Sequence, residues 1–173
     1  MNEIKTNDVE HQNKLNQPRY VLDWNQYFMS IAYVSSLRSK DPSRQVGCCI
    51  VDNDKHIIST GYNGFPNNCP DEYFPWEKNT EKYSDSKYAY VVHAELNAII
   101  QAKRDLTNCI LYVTTMPCNE CMKAIIQSGI KTIYYGEEYK NDEDYNKIIK
   151  KMSEYASVNL IHLSYDKKIE IYI

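Results

Sequence analysis

Apolar residues first recur at helical spacing at Trp24, Tyr27, Phe28, Ile31, Ala32 and Val34. Asp23 stands in front of them as a candidate N-cap, and Pro42 in RSKDP forbids continuation, so the pattern predicts a first helix with Trp24, Tyr27 and Phe28 as its core stripe. The pattern then shortens. VGCCIVD and HIISTGY are β-rich runs divided by Asn53 and Asp54, which is hairpin chemistry. A long Gly/Pro/Asn-rich connection over residues 61–90 follows, and connections of that length inside a compact domain are usually functional. Beyond it the pattern predicts a helix opening at His93, a strand in CILYVTT and a helix in CNECMKAIIQSG closed by Gly129. A strand in KTIYYG, a helix within residues 142–156 and a strand in VNLIHL complete it, with IEIYI as a further short strand. Helices alternating with strands after an opening hairpin predict an α/β sandwich on a mixed sheet.

Residues 1–19 have no apolar periodicity, so a disordered tail is expected there, ahead of one domain over residues 20–173. A length of 173 residues fits one core, and a 43% hydrophobic, 25% charged composition is that of a soluble globular protein. No apolar run approaches the roughly 20 residues that span a bilayer, and the first segment has neither an apolar signal region nor an Arg-rich transit pattern. A cytoplasmic protein with no membrane partner is the expectation. The net charge of −3 argues against a surface that wraps nucleic acid and favours a small substrate. The six cysteines read as packing, catalysis or metal binding in a reducing compartment. Cys48, Cys49 and Cys109 fall in strand runs, where a small buried hydrophobe is the default.

The chemistry-bearing residues are His93 and Glu95, set in the apolar run YVVHAELNAII, and Cys118 and Cys121, in TTMPCNEC. Side chains in the first turn of a helix can converge just beyond its end, where unpaired N–H groups favour a thiolate. Two such helix starts facing each other would let His93, Cys118 and Cys121 hold one Zn2+. Three protein ligands leave the open position of a catalytic site, with Glu95 free to act as a base on water activated near neutral pH. H-x-E followed by P-C-x-x-C is the known signature of zinc nucleobase deaminases, and it reads here as HAE and PCNEC.

The likeness extends beyond that motif. WNQYFMSIA, RSKDP, QVGCCIV, GYNGFPN, FPW, HAELNAII and PCNECMKAIIQSGI appear in the order and at about the spacings of the deoxycytidylate (dCMP) deaminase family, which the chain resembles from near Tyr20 onward. It departs from the family at Cys49, at Ala89, where KYPYV is usual, and at Met122, which replaces a small residue. The resemblance implies a three-layer αβα, cytidine deaminase-like sandwich and hydrolysis of dCMP to dUMP and ammonia with Glu95 carrying the protons. It assigns Asn63 a hydrogen bond to the sugar or base. The 5′-phosphate needs donors, and Ser39 and Lys40 in RSKD and Tyr139 and Lys140 in EYK occupy loops expected at the same sheet edge. It further implies a homohexamer activated by dCTP and inhibited by dTTP. The effector, with Mg2+, would sit at a separate site lined partly by Gly61, Tyr62, Asn63 and Gly64. Two alternatives stay open at this point: a deaminase of another nucleoside, base or tRNA, and a non-catalytic module stabilised by zinc.

Overall fold

The computed structural model of the chain describes residues 21–138 and 143–164. The expected tail at 1–19 and the strand expected in IEIYI lie outside the described residues.

The first helix, α1 (Trp24–Ser36), starts as the sequence predicts. Asp23 accepts from the Gln26 N–H at 2.9 Å, and the Gln26 side chain accepts from the Asp23 N–H at 3.2 Å, closing a capping box. The helix stops at Ser36, well before Pro42, because successive N–H groups of Leu37, Arg38 and Ser39 bond three residues back and wind the chain into a tighter turn. The core stripe is also rotated from the one expected. Phe28, Met29, Ala32 and Ser36 are buried, whereas Trp24, Tyr27 and Val34 are exposed. Trp24 stacks on Phe28 at 5.5 Å and shares an open apolar groove with Val21, Leu22, Tyr27 and Ile57, so part of the apolar periodicity covers a neighbour instead of entering the core.

The hairpin forms from β1 (Gly47–Val51) and β2 (Ile57–Tyr62). Its turn is organised by Asp52, whose carboxylate accepts from the N–H groups of Asp54 and His56 at 3.0 and 2.9 Å, and the left-handed residue is Lys55. The chain continues through α2 (Ala94–Ala102), β3 (Ile110–Thr115), α3 (Asn119–Gln127), β4 (Thr132–Glu137), α4 (Glu143–Ala156) and β5 (Asn159–His162). Strand order is β2-β1-β3-β4-β5, antiparallel across the first two pairings and parallel across the last two. This is the mixed sheet that the alternating pattern predicts.

Strands β1 and β3 are buried on both faces, which is why GCCIV and ILYVTT read as nearly continuous apolar runs. Cys49, Val51 and Tyr112 pack against Phe28, Met29 and Ala32 of α1. Cys48, Ile50, Leu111, Val113 and Ile133 meet Ala94, Ala98, Met122, Ile125 and Ile149 from α2, α3 and α4 on the other face. Sandwiching the sheet between α1 and the other three helices gives the three layers. Burial pushes the Cys49 thiol up to about 12 and Cys48 well above its ordinary range, so both are neutral packing groups.

The long connection is held in two ways. Phe65 packs on Trp76 at 4.2 Å and on Phe74 at 5.3 Å, and Phe74 meets Tyr90 at 5.2 Å, forming a small aromatic core of the loop's own. Gly64 and Val92 exchange backbone hydrogen bonds of 3.1 and 2.8 Å, so the start of the loop is clamped beside the residue that precedes His93. Among the described residues no helix is long and apolar enough to cross a membrane.

Candidate active site

Two helix N-termini meet behind the C-terminal end of β3. His93 is the N-cap of α2 and Cys118 the N-cap of α3, both with extended backbone. The spacing of Cys118 and Cys121 is therefore that of a cap and its third helical residue: Cys118 Sγ accepts from the Cys121 N–H at 3.4 Å. His93 Nδ1 lies 3.3 Å from Cys118 Sγ and 3.4 Å from Cys121 Sγ. One donor atom from each of these residues falls within 4.8 Å of the others, a separation that one tetrahedral cation can bridge. The donor set of one imidazole and two sulfurs suits zinc.

The electrostatics sort these groups. The hydrogen bond from Cys121 pulls the Cys118 thiol well below its ordinary range against its burial, with His93 and the Cys121 N–H adding to the effect. The same hydrogen bond and burial push Cys121 up, and the bond to Cys118 raises His93. A thiolate is the metal-ligating form of a cysteine, and a bound cation would take the place of the protons that the imidazole and the second thiol share with it. Glu95, on the first turn of α2, is 4% exposed, and burial raises its carboxyl to about 7. At that value it can both accept and donate a proton near neutral pH.

His93, Glu95 and Cys118 open onto a cleft of about 390 Å³. Thr115 and Met116 at the end of β3 contribute to its lining, and another part comes from Asp41, Arg44, Asn63, Lys78 and Lys87. Asp41 is the hub of that part. Its Oδ1 accepts from the Ser43 and Arg44 N–H groups at 2.8 and 3.2 Å, and its Oδ2 accepts from Asn63 Nδ2 at 3.1 Å and from the Lys87 ammonium. Burial opposes the charge, but these hydrogen bonds outweigh it and hold the Asp41 carboxyl below the usual carboxylate range.

The residues expected from the sequence separate here. Asn63 lines the cleft, yet both of its amide hydrogens are used, on Asp41 and on the Arg44 carbonyl at 3.0 Å, while its Oδ1 accepts from the Val46 N–H at 2.8 Å. Its visible role is to hold the loop over residues 41–46. Ser39 and Lys40 do not line the cleft: the Ser39 hydroxyl accepts from the Asp41 N–H at 3.2 Å, and Lys40 is an exposed side chain paired with Asp71. Tyr139 and Lys140 lie outside the described residues. Arg44, Lys78 and Lys87 are the cleft cations that sequence reasoning missed, although Lys87 opens the KYAYV segment that corresponds to the family's KYPYV. The two glycines of GYNG also differ from each other. A Cβ on Gly61 would lie 2.2 Å from the Ala94 carbonyl oxygen and 2.6 Å from the Ala98 nitrogen, so Gly61 is there to let β2 approach α2. A Cβ on Gly64 would meet nothing within 4 Å.

Residues 22–137 match the cytidine and deoxycytidylate deaminase zinc-binding region. This chain belongs to that deaminase family. It is similar to mouse deoxycytidylate deaminase, with 50% identity over 125 residues that cover 71% of this chain and 70% of the relative. A probable deoxycytidylate deaminase of Caenorhabditis elegans is 46% identical over 154 residues, covering 88% and 76%. Among solved structures, the dCMP deaminase of cyanophage S-TIM5 in complex with dCMP and dUMP superposes with a TM-score of 0.64 at 25% identity, over 84% of this chain and all of that one.

Proposed function

We propose that the chain catalyses hydrolytic deamination of dCMP, yielding dUMP and ammonia. The observation that carries this reading is the burial of Glu95 beside the His93, Cys118 and Cys121 donor cluster, in one cleft with three cations. His93, Cys118 and Cys121 would hold the zinc of this family. Zinc supplies Lewis acidity that makes water nucleophilic near neutral pH. Glu95 takes a proton from the attacking water and passes it to N3 of cytosine, and a second transfer through the same carboxyl delivers a proton to the departing amine as the C4–N bond breaks. Its burial keeps bulk water from competing for those protons. The cations lining the cleft suit an anionic nucleotide, and the relatives that act on dCMP support the same choice of substrate.

The finer parts of this reading concern extent, assembly and regulation: a deaminase domain over residues 20–173, a cytoplasmic homohexamer, and a nucleotide effector bound with Mg2+, dCTP activating and dTTP inhibiting. Gly61 packs on α2, so a nucleotide that favours one arrangement of Tyr62, Asn63 and Gly64 would bear on the helix that carries Glu95, and this supports coupling between the two places. Ammonia release from dCMP, CMP, deoxycytidine, dCTP and tRNA tests the reaction. Preference for dCMP is expected, and turnover of tRNA in place of mononucleotides would overturn it. Rate curves for dCMP with and without dCTP or dTTP test the regulation, and unchanged curves would remove it.

A further inference from the structure

Lys87 stands apart from the other cations of the cleft. Arg44 and Lys78 are exposed, whereas the Lys87 side chain is 6% exposed and lies against an Asp41 side chain that is 2% exposed. An ammonium has three N–H donors. Among the described residues one of them goes to Asp41, and the Tyr88 ring lies 5.8 Å from the nitrogen. Neither neighbour in the cluster can itself offer an anion an N–H, since a carboxylate only accepts and the asparagine amide hydrogens are engaged. The Asp41 carboxylate already accepts four hydrogen bonds, and Asn63 has given both amide hydrogens to Asp41 and Arg44. Asp41 therefore fixes the lysine in place and leaves its remaining donors for the cleft that the lysine lines.

The charges agree with an anionic ligand. Arg44, Lys78 and Lys87 line this part of the cleft with a single carboxylate, Asp41, and such a lining suits the phosphate of a nucleoside monophosphate. We infer that Lys87, held by Asp41, is the residue that donates to the phosphate of the substrate and sets the preference for a nucleotide over a nucleoside. This inference rests on the proposed reaction and adds to it a residue that neither the HAE and PCNEC motifs nor the expected loops contain. A buried, pre-oriented donor loses little side-chain freedom on binding, which is the advantage over an exposed lysine such as Lys40.

The test is kinetic and structural. Lys87→Met alone would strand the buried Asp41 carboxylate, so the Asp41→Asn/Lys87→Met pair, which removes both charges together, is measured beside it. For zinc-loaded protein, the ratio of kcat/KM for dCMP to that for deoxycytidine is expected to fall about ten- to a hundredfold, mainly through KM for dCMP, because a charged hydrogen bond is lost. A merely structural role would lower both substrates together and leave the ratio where it was, which would overturn the inference. Where neither variant folds, a crystal structure of the wild-type zinc enzyme with dUMP decides the question. A phosphate oxygen about 3 Å from Lys87 Nζ supports the assignment, and a phosphate held elsewhere overturns it. Wild-type protein that releases ammonia from neither substrate would overturn the proposed reaction first, and this assignment with it.

Discussion

The two parts of the cleft are built on different principles. The part with His93, Glu95, Cys118 and Cys121 comes from two helix starts, and each pair of residues is separated by only two or three positions in sequence. Its geometry follows from the backbone of a helix N-terminus seated on a buried sheet. The part with Asp41, Asn63 and Lys87 joins three distant segments, with 22 residues between Asp41 and Asn63 in numbering and 46 between Asp41 and Lys87. One buried carboxylate gathers them. The difference suggests that the chemical step is placed on rigid elements and that recognition is left to loops clasped by charge.

The sharpest way to break the first part without touching the second is Glu95→Gln. The variant should keep zinc and fold while turnover drops by about 10²–10⁴, the usual contribution of a general acid–base group. Near-normal turnover in a zinc-loaded variant would remove Glu95 from the mechanism. Cys121→Ala should differ by losing metal together with rate, read as zinc per chain after gel filtration.

The pH dependence of stability separates the two parts by sign. In metal-free protein the Glu95 carboxyl is raised from 4.5 to about 7, so the folded state holds a proton that the unfolded state has released. Stability should then fall as pH rises from about 4.5 to 7, by on the order of 3 kcal/mol. Asp41 acts in the opposite direction. Its carboxyl is held below 3.8, so its contribution is present above that value and is lost as pH falls through the lower folded value. Urea unfolding across pH should show the first slope vanish in Glu95→Gln and the acid limb shrink in the Asp41→Asn/Lys87→Met variant.

The same contrast explains what the sequence made legible. HAE and PCNEC could be read because helix starts impose convergence over a few residues, and the strands could be read because a sheet buried on both faces leaves long apolar runs. The face of α1 was harder. Trp24 and Tyr27 share the helical period of Phe28, and only the packing of Met29 and Ala32 on β1 and β3 decides which side turns inward. Lys87 was harder for a stronger reason: it opens KYAYV, the counterpart of the family's KYPYV, but the segment alone gives its lysine no role, and the contact that does comes from an aspartate 46 positions away. Lys40, close to that aspartate in sequence, looked like the better candidate and is turned outward to Asp71.

A smaller effect is expected where the two parts are joined. Gly61→Ala forces a methyl against backbone atoms of Ala94 and Ala98, which cannot yield without shifting the helix that carries Glu95. Overpacking of this kind costs about 1–3 kcal/mol, so a lowered melting temperature and reduced turnover should appear together. Gly64→Ala meets open space and should be nearly neutral for the melting temperature. Equal behaviour of the two variants would mean that β2 does not depend on its close approach to α2.

The smallest effect is expected at Lys40, and its smallness is informative. Its side chain is 70% exposed, its partner Asp71 is 35% exposed, and exposed ion pairs contribute roughly 0–1 kcal/mol because water screens them and both side chains lose freedom. Lys40→Ala should therefore leave the melting temperature within a degree or two and kcat/KM for dCMP within about twofold. A tenfold rise in KM for dCMP, with none for deoxycytidine, would show that Lys40 leaves Asp71 to reach the phosphate when substrate binds. In that case the recognition wall would assemble on the ligand, and the buried Lys87 would no longer suffice to explain how a nucleotide is told from a nucleoside.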